Sequence, residues 1–258
     1  MENKLDQPLW LIVCQSDLIA KANLASELNQ NDLTLDSYFN FDMSISEIYK
    51  GTDMPELIPM RQYIYEDTHF PLQKMKSNDI IIFAIDYRHD KYNKCFYFTE
   101  NNNNPSFIIF DDNVVQKIRS ELDLQNRLLN NFLENPKKVP NEDKIKQFIT
   151  NILNPEKAEE TYEKIESFNS KDVPALTKHM NDRRELPIQH IQLANKSENA
   201  FEAYRHYSPQ QVIDLIAAIL NHITGMTFGF IYNGEISSER DKTYKKWIIW
   251  LERQNFKN

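Results

Sequence analysis

The clearest hydrophobic pattern in the chain lies between residues 207 and 251. Apolar residues recur there with the spacing of a buried helix, at Val212, Leu215, Ile216, Ile219, Leu220 and Ile223. Ser208 and Pro209 are typical of a helix start, and Gly225 is typical of a helix end that needs a left-handed backbone. A second apolar stripe, which begins after Ser237 or Ser238, consists of Tyr244, Trp247, Ile248 and Leu251. The pattern predicts two helices joined by a fixed aromatic connection.

Three apolar, β-branched and aromatic runs of strand length occupy residues 79–87, 92–99 and 106–110. Polar segments of hairpin length separate them, so the pattern predicts an antiparallel meander. The second run carries bulky residues on both of its faces, which indicates a strand that is covered on both sides.

The segments before this meander have mixed patterns. Residues 9–14 fit either a short buried strand or the first turn of a helix, and a helical spacing then runs from Ser16 to Leu28. We expect an edge strand over residues 33–41, a short helix over 45–49 and another strand over 61–66, with Pro55 and Pro59 interrupting the chain before it.

From residue 112 onward the hydrophobic period becomes helical. Helices are predicted in the region that begins at Val114 and over residues 142–153, 156–168, 173–180 and 187–193. Residues 135–140, with two prolines, form the strongest linker candidate. We therefore predict an α+β domain with a small antiparallel sheet and flanking helices over residues 1–135, followed by an α-helical domain over residues 141–258.

Two segments resemble known families. The stretch SKDVPALTKHMNDRR, residues 170–184, together with the sequence that follows it up to WIIWL, is similar to atypical C-terminal units of bacterial HEAT-like proteins. This resemblance covers about a third of the chain and implies that the α-helical domain is HEAT-like.

The runs DIIIFAIDY, YNKCFYFT and SFIIFDDN, with helical segments on both sides, resemble the SMI1/KNR4 (SUKH) type of α+β domain. That type is common among bacterial toxin-immunity proteins. The resemblance implies an intracellular protein that binds and blocks a toxin.

Composition narrows the functional classes. The chain has only four glycines in 258 residues, and it contains neither of the common glycine-rich nucleotide-binding motifs. The six histidines lack the spacing that places two imidazoles on one helix face, so we expect no metal and no cofactor. Cys14 and Cys95 lie inside apolar runs, which fits unpaired thiols in a reducing compartment. No segment is long and apolar enough for a signal peptide or a membrane span, and we expect a cytoplasmic protein.

The formal charge of -8 is held by the first part of the chain. Residues 1–169 carry 18 Lys and Arg against 28 Asp and Glu, whereas residues 170–258 carry 12 against 10. Such a distribution disfavours nucleic acid and membrane surfaces and favours a basic protein partner, although it also fits a simple role in solubility.

The candidate contact residues are charged and aromatic side chains near predicted turns and helix ends: Asp86, Tyr87, Asp90, Asp111, Asp112, Arg183, Arg184 and Trp250. The aspartates are also ordinary turn residues, and the arginines also complement a helix dipole. Because Trp247 and Trp250 are three residues apart, we expect one to seal the core and the other to lie near the surface.

The sequence thus predicts a non-enzymatic immunity protein that neutralises a bacterial toxin by covering its active site. Two alternatives stay open. One is a helical scaffold or adaptor in a larger assembly, and the other is a hydrolase whose acid and base come from aspartates gathered at one end of the sheet.

Overall fold

A computed structural model describes residues 7–25, 38–51, 55–63, 78–87, 95–98, 100–101, 104–105, 107–194 and 203–255. The chain forms two compact units, Met1–Asn126 and Arg127–Asn258, which are described separately below. Strands predominate in the first unit and helices in the second, so the predicted α+β class is confirmed. Across the described ranges, none of the helices combines the length and the apolar character that crossing a bilayer requires.

The first unit is built on a sheet that closes on itself. Its elements, in chain order, are α1 (Leu9–Gln15), β1 (Leu18–Leu24), β2 (Tyr38–Lys50), β3 (Leu57–Tyr63), β4 (Ile80–Tyr87), β5 (Cys95–Phe98), the short pair β6 (Glu100–Asn101) and β7 (Asn104–Pro105), β8 (Phe107–Ile109) and the start of α2 (Asp112–Glu134). The strand order β1-β2-β3-β5-β4 is closed by an antiparallel pairing of β1 with β4. All of these pairings are antiparallel except that of β3 with β5.

Closure gives the sheet an inner and an outer apolar face. The inner face holds Leu18, Ala20, Met43, Ile58 and Ile82, among other buried residues. The outer face of β1, β4 and β8 is covered by α1 and by the first half of α2, with Ile19, Ile81, Phe83, Val115 and Ile118 in the shared core. Strands buried on both faces need apolar residues at consecutive positions, as β1 and β4 have.

Several predictions for the first unit are corrected, and two-sided burial explains the first of them. The predicted helix from Ser16 to Leu28 is wrong, because β1 occupies Leu18–Leu24. The predicted helix over residues 45–49 is wrong as well, since these residues extend β2 to Lys50. Residues 9–14, left open between strand and helix, belong to α1. Pro59 does not interrupt the chain but lies within β3, which begins before the predicted strand.

The predicted meander is correct for its first hairpin and wrong for its third strand. β4 pairs antiparallel with β5, with Asp86 opposite Phe96. β8 also pairs with β4, with Ile80 opposite Ile109, instead of continuing the meander beside β5. The chain therefore returns to the start of β4 before it enters α2.

The second unit contains the end of α2 and a mainly helical remainder. Its further elements are α3 (Glu142–Ile152), α4 (Pro155–Glu163), two 3-10 turns (Lys164–Ser167 and Ser170–Asp172), α5 (Val173–His179), β9 (Ile191–Ala194), β10 (Tyr204–Tyr207), α6 (Val212–Thr224), a 3-10 turn (Ile231–Asn233) and α7 (Ser237–Asn255). The segment 170–184 of the HEAT-like resemblance contains one short helix, α5, followed by extended chain whose backbone pairs with residues 210–213.

Most helices of this unit match the predicted ones, with two corrections. The helix predicted over residues 187–193 is wrong, because Ile191 begins a strand that forms an antiparallel hairpin with β10. The predicted cap at Ser208 is wrong, because α6 begins after Gln211 and is closed by a capping box with Asp214. The predicted left-handed Gly225 at the end of α6 is confirmed, with φ 70°.

Candidate functional site: the connection between α6 and α7

Three of the four glycines of the chain lie in or border the connection between α6 and α7, and all three have positive φ. Gly225 ends α6 and has open space beside its Cα. A Cβ at Gly229 would overlap the side chain of Thr243, and a Cβ at Gly234 would overlap that of Gln210. The connection therefore has a single backbone path that depends on glycine at fixed points.

Asn221, in the last turns of α6, ties this connection to the rest of the unit. Its Nδ2 donates to the carbonyl oxygen of Met226 at 3.0 Å and to Oγ1 of Thr227 at 2.7 Å. Its Oδ1 accepts from Arg205 at 3.1 Å and from the hydroxyl of Tyr207 at 3.3 Å. One nearly buried amide thus joins α6, β10 and the start of the connection.

The connection separates its apolar side chains into an inward and an outward set. Phe228 and Ile231 are buried, and the ring of Phe228 meets Trp247 edge-on at 4.8 Å between centroids. Phe230 is 41% exposed and Ile236 is 54% exposed. We call these two outward side chains the connector residues. Solvent exposure of large apolar groups on a fixed backbone is a common property of contact surfaces.

A buried ion pair fixes the start of α7 against α6. Arg240 donates to both oxygens of Asp214, at 2.8 and 2.7 Å, and both residues are buried. Asp214 also accepts from the backbone N–H groups of Gln210 and Gln211. With its charge paired and its oxygens saturated, this carboxylate holds the two helices that flank the connection.

Trp247 and Trp250 divide as the sequence predicts. Trp247 is 1% exposed and belongs to the core, whereas Trp250 is only partly buried. The ring of Trp250 lies 5.4 Å from that of Trp247 and 6.3 Å from that of Phe228. Trp250 therefore packs behind the connection and keeps part of its ring accessible.

Arg183 and Arg184 are engaged by acidic residues of their own unit. Arg183 donates to Asn181 and to Asp241. Arg184 forms a forked pair with Asp182, with distances from 2.6 to 3.1 Å. Burial by itself would raise the pKa of Asp182, but the hydrogen bonds from Arg184 hold it below its usual value. A partner carboxylate would have to compete with these internal ones.

A second charged cluster joins α3 to α5. Glu142 contacts Lys146 and Lys178, each at 2.8 Å, and these lysines lower its pKa to about 2. His179 lies 3.6 Å from the same carboxylate, and its burial lowers its pKa despite that neighbour. Nearby, the fully buried Asp172 accepts from Lys144 and Asn141, both at 2.9 Å. These pairs hold helices together.

The sheet register separates the predicted aspartates. Asp86 and Tyr87 are at the end of β4, opposite Phe96 and Cys95. Asp111 and Asp112 follow β8, which pairs with the start of β4, and six residues of strand span about 20 Å. Asp111 accepts the N–H of Asn113 at 2.7 Å and thus caps α2. Asp90 and the side chains of Asp86 and Tyr87 lie outside the described residues. The gathering of Asp86 with Asp111 and Asp112 at one end of the sheet, assumed for a hydrolase, is wrong.

Sequence reasoning missed Asp214, Arg240 and Asn221. A signal was available for two of them, because Asp214 and Asn221 are polar positions inside the apolar run VIDLIAAILN, where a buried polar group needs a partner. The identity of that partner depends on which helix packs there and was not readable from spacing.

No cluster of three or more His, Cys, Asp or Glu side chains with metal-binding geometry occurs in the part of the chain that the structure describes. Comparison with known proteins gave no match to a protein-family model and none to a curated protein.

Proposed function

We propose that this chain is a non-enzymatic, protein-binding immunity protein, which neutralises a cognate toxin by covering the active site of that toxin. The observation that carries the proposal is the glycine-dependent connection that presents Phe230 and Ile236 to solvent. The resemblance of the three strand-forming runs to SUKH domains supplies the class of partner.

Preorganisation of the connection supports binding over a purely structural role. A loop that is fixed before contact loses little conformational entropy when a partner docks. Here Asn221, Gly229 and Gly234 fix the backbone, and the Asp214–Arg240 pair fixes the helices on both sides. The backbone that carries the exposed apolar side chains is therefore fixed before contact, which lowers the ordering cost of the complex.

The charged groups of the second unit also support this proposal. Asp214, Asp172 and Glu142 each hold a cationic partner, and together they link α6 to α7 and α3 to the segments around α5. These carboxylates have structural tasks that account for their burial or low pKa. Binding through apolar anchors does not require these carboxylates to contact the partner.

The test uses the product of the gene adjacent to that of this chain as the candidate toxin. Co-expression should protect cells from this product, and the purified chain should form a stable complex with it. Ile236→Asp should weaken the complex at least tenfold, because it places a charge where an apolar anchor is desolvated.

Leu57→Asp is the matched control, because Leu57 is 51% exposed, close to the 54% of Ile236, but lies at the start of β3 in the other unit. This variant should bind as the unmodified chain does. Equal losses for both variants would assign no special role to the connection, and the absence of any complex with protection intact would contradict the occlusion mechanism.

A further inference from the structure

The hairpin of β9 and β10 brings two histidines together on its outward face. Ile191 and Leu193 of β9 are buried, so the alternate positions of the hairpin face away from the core. His206 lies at one of these outward positions, directly opposite Gln192. His190 immediately precedes β9 and extends the same face, at the position diagonal to His206.

The side chains of His190 and His206 are exposed, and their imidazole rings stack on each other. The ring centroids are 5.9 Å apart, and the ring planes are inclined by 26°. Among the residues that the structure describes, neither ring takes part in a hydrogen bond or an ion pair. The ring nitrogens of both side chains are therefore accessible to a ligand from solvent.

Contacts with the rest of the second unit fix the backbone that carries this pair. The hydroxyl of Tyr162 donates to the carbonyl oxygen of Ile188 at 2.5 Å, two residues before His190. At the other end of β9, the N–H of Ala194 donates to the carboxylate of Glu166 at 2.9 Å. Only the side-chain torsions have to adjust when a ligand binds, and the terminal torsion of a histidine is broad.

The separation of the two rings suits a single metal ion. Metal–nitrogen bonds of ~2.1 Å to two imidazoles at a tetrahedral angle place the ring centroids about 5 Å apart. The observed separation of 5.9 Å is close to that value, so rotation of the exposed rings can direct one nitrogen of each toward a shared ion. Imidazole is the commonest metal ligand in proteins and suits Ni²⁺, Cu²⁺ and Zn²⁺.

We propose that His190 and His206 form a binding site for one divalent ion of the later first-row transition metals. Two protein ligands leave the other coordination positions to water, so the ion is exchangeable. The absence of a metal motif in the sequence does not bear on this pair, because the spacing considered above concerns two histidines on one helix, whereas these two meet across a hairpin. The site does not rest on the proposed toxin binding.

Calorimetric titration of the full chain with Ni²⁺ tests the site. Ni²⁺ is the probe because imidazole suits it, whereas thiolates such as those of the two cysteines select softer metals. The titration should show saturable binding that Mg²⁺ does not reproduce, since Mg²⁺ requires oxygen ligands. No saturation by Ni²⁺ up to a concentration on the order of 1 mM would overturn the proposal.

Substitution of each histidine tests whether the two share one ion. His190→Ala and His206→Ala should each weaken Ni²⁺ binding at least about tenfold, because either change leaves a single imidazole to hold the ion. Gln192→Ala is the matched control, because it removes an exposed side chain from the same face and should leave the affinity unchanged. An equal loss for Gln192→Ala would contradict the site.

The double variant separates a shared ion from two independent ones. With a shared ion, combining His190→Ala with His206→Ala should weaken binding little beyond either single change. If each histidine bound its own ion, each single variant would keep one site and only the double variant would lose both, which would overturn the proposal. All three positions are exposed, so the variants should fold, which circular dichroism checks.

Discussion

At the scale of single residues, the glycines of the α6–α7 connection separate two costs of adding a side chain. Gly225 has the left-handed φ of a helix end and open space beside it, so Gly225→Ala should cost about 1–2 kcal/mol of unfolding free energy. Gly229→Ala and Gly234→Ala add a steric overlap to the unfavourable φ and should cost more. Urea unfolding of the three variants checks this order. A larger loss for Gly225→Ala than for the other two would contradict the described backbone path.

The cluster around Glu142 predicts how the free energy of unfolding depends on pH. The pKa of His179 is lowered by burial, although Glu142 opposes the shift, and Lys146 and Lys178 lower it further. His179 therefore takes up a proton more readily in the unfolded chain than in the folded chain. The contribution of neutral His179 to the free energy of unfolding is complete above pH 6.5 and is lost as pH falls below that value. His179→Gln should flatten the decline of unfolding free energy between pH 7 and pH 5.

Glu142 should make the free energy of unfolding fall further at lower pH. Its pKa is about 2 in the folded chain against an ordinary value of 4.5, so its contribution is present above pH 4.5 and is lost as pH falls toward 2. Glu142→Gln should reduce the slope in that lower range, and it should enlarge the downward shift of the His179 pKa, because Glu142 opposes that shift. Unfolding curves of both variants that run parallel to the unmodified chain at every pH would show that these groups do not control acid stability.

At the scale of elements, the Asp214–Arg240 pair joins α6 to α7. Arg240→Met leaves a buried carboxylate without its cation and should cost about 3–5 kcal/mol. The more exposed pair of Lys242 and Glu239 is the control, because a partly solvated pair contributes less and Lys242→Met should therefore cost much less than Arg240→Met. Chemical denaturation measures both. Similar losses for the two variants would show that the buried pair does not fix the helices.

The elements also show where sequence periodicity is sufficient. Helices α3, α6 and α7 were predictable because each buries one stripe or is buried as a whole, and the spacing of Trp247 and Trp250 indicated that only one of the two rings faces fully inward. β1 was mistaken for a helix because burial on both faces removes the alternation typical of a strand. The pairing of β4 with β8 depends on long-range contacts that local pattern does not encode.

The candidate site was predictable only in part, for a related reason. Gly225 and the aromatic connection were visible in the sequence, because glycine and a change of period mark them. The outward direction of Phe230 and Ile236 depends on how Phe228 and Ile231 are buried. The position of the connection also depends on Asn221, which joins its start to β10. The ion pairs of Arg183 with Asp241 and of Arg184 with Asp182 were likewise not predictable from the sequence pattern.

At the scale of the whole molecule, the acidic excess of residues 1–169 predicts how the association rate of a partner depends on salt. A basic partner should be steered by this charge, so its association rate should fall as salt rises from about 10 mM to 150 mM. Dissociation should change little, since the connector residues are apolar. Stopped-flow association at several salt concentrations measures this, and a rate that is independent of salt would contradict a basic partner.

The most direct test of the proposed function is a titration of this chain against the activity of the adjacent gene product. Occlusion of an active site is stoichiometric, so the activity should fall linearly and reach its minimum at one equivalent of the chain. The active toxin should be recovered when the complex is dissociated. Loss of activity at far less than one equivalent, or loss that persists after the chain is removed, would contradict the account and indicate catalysis instead.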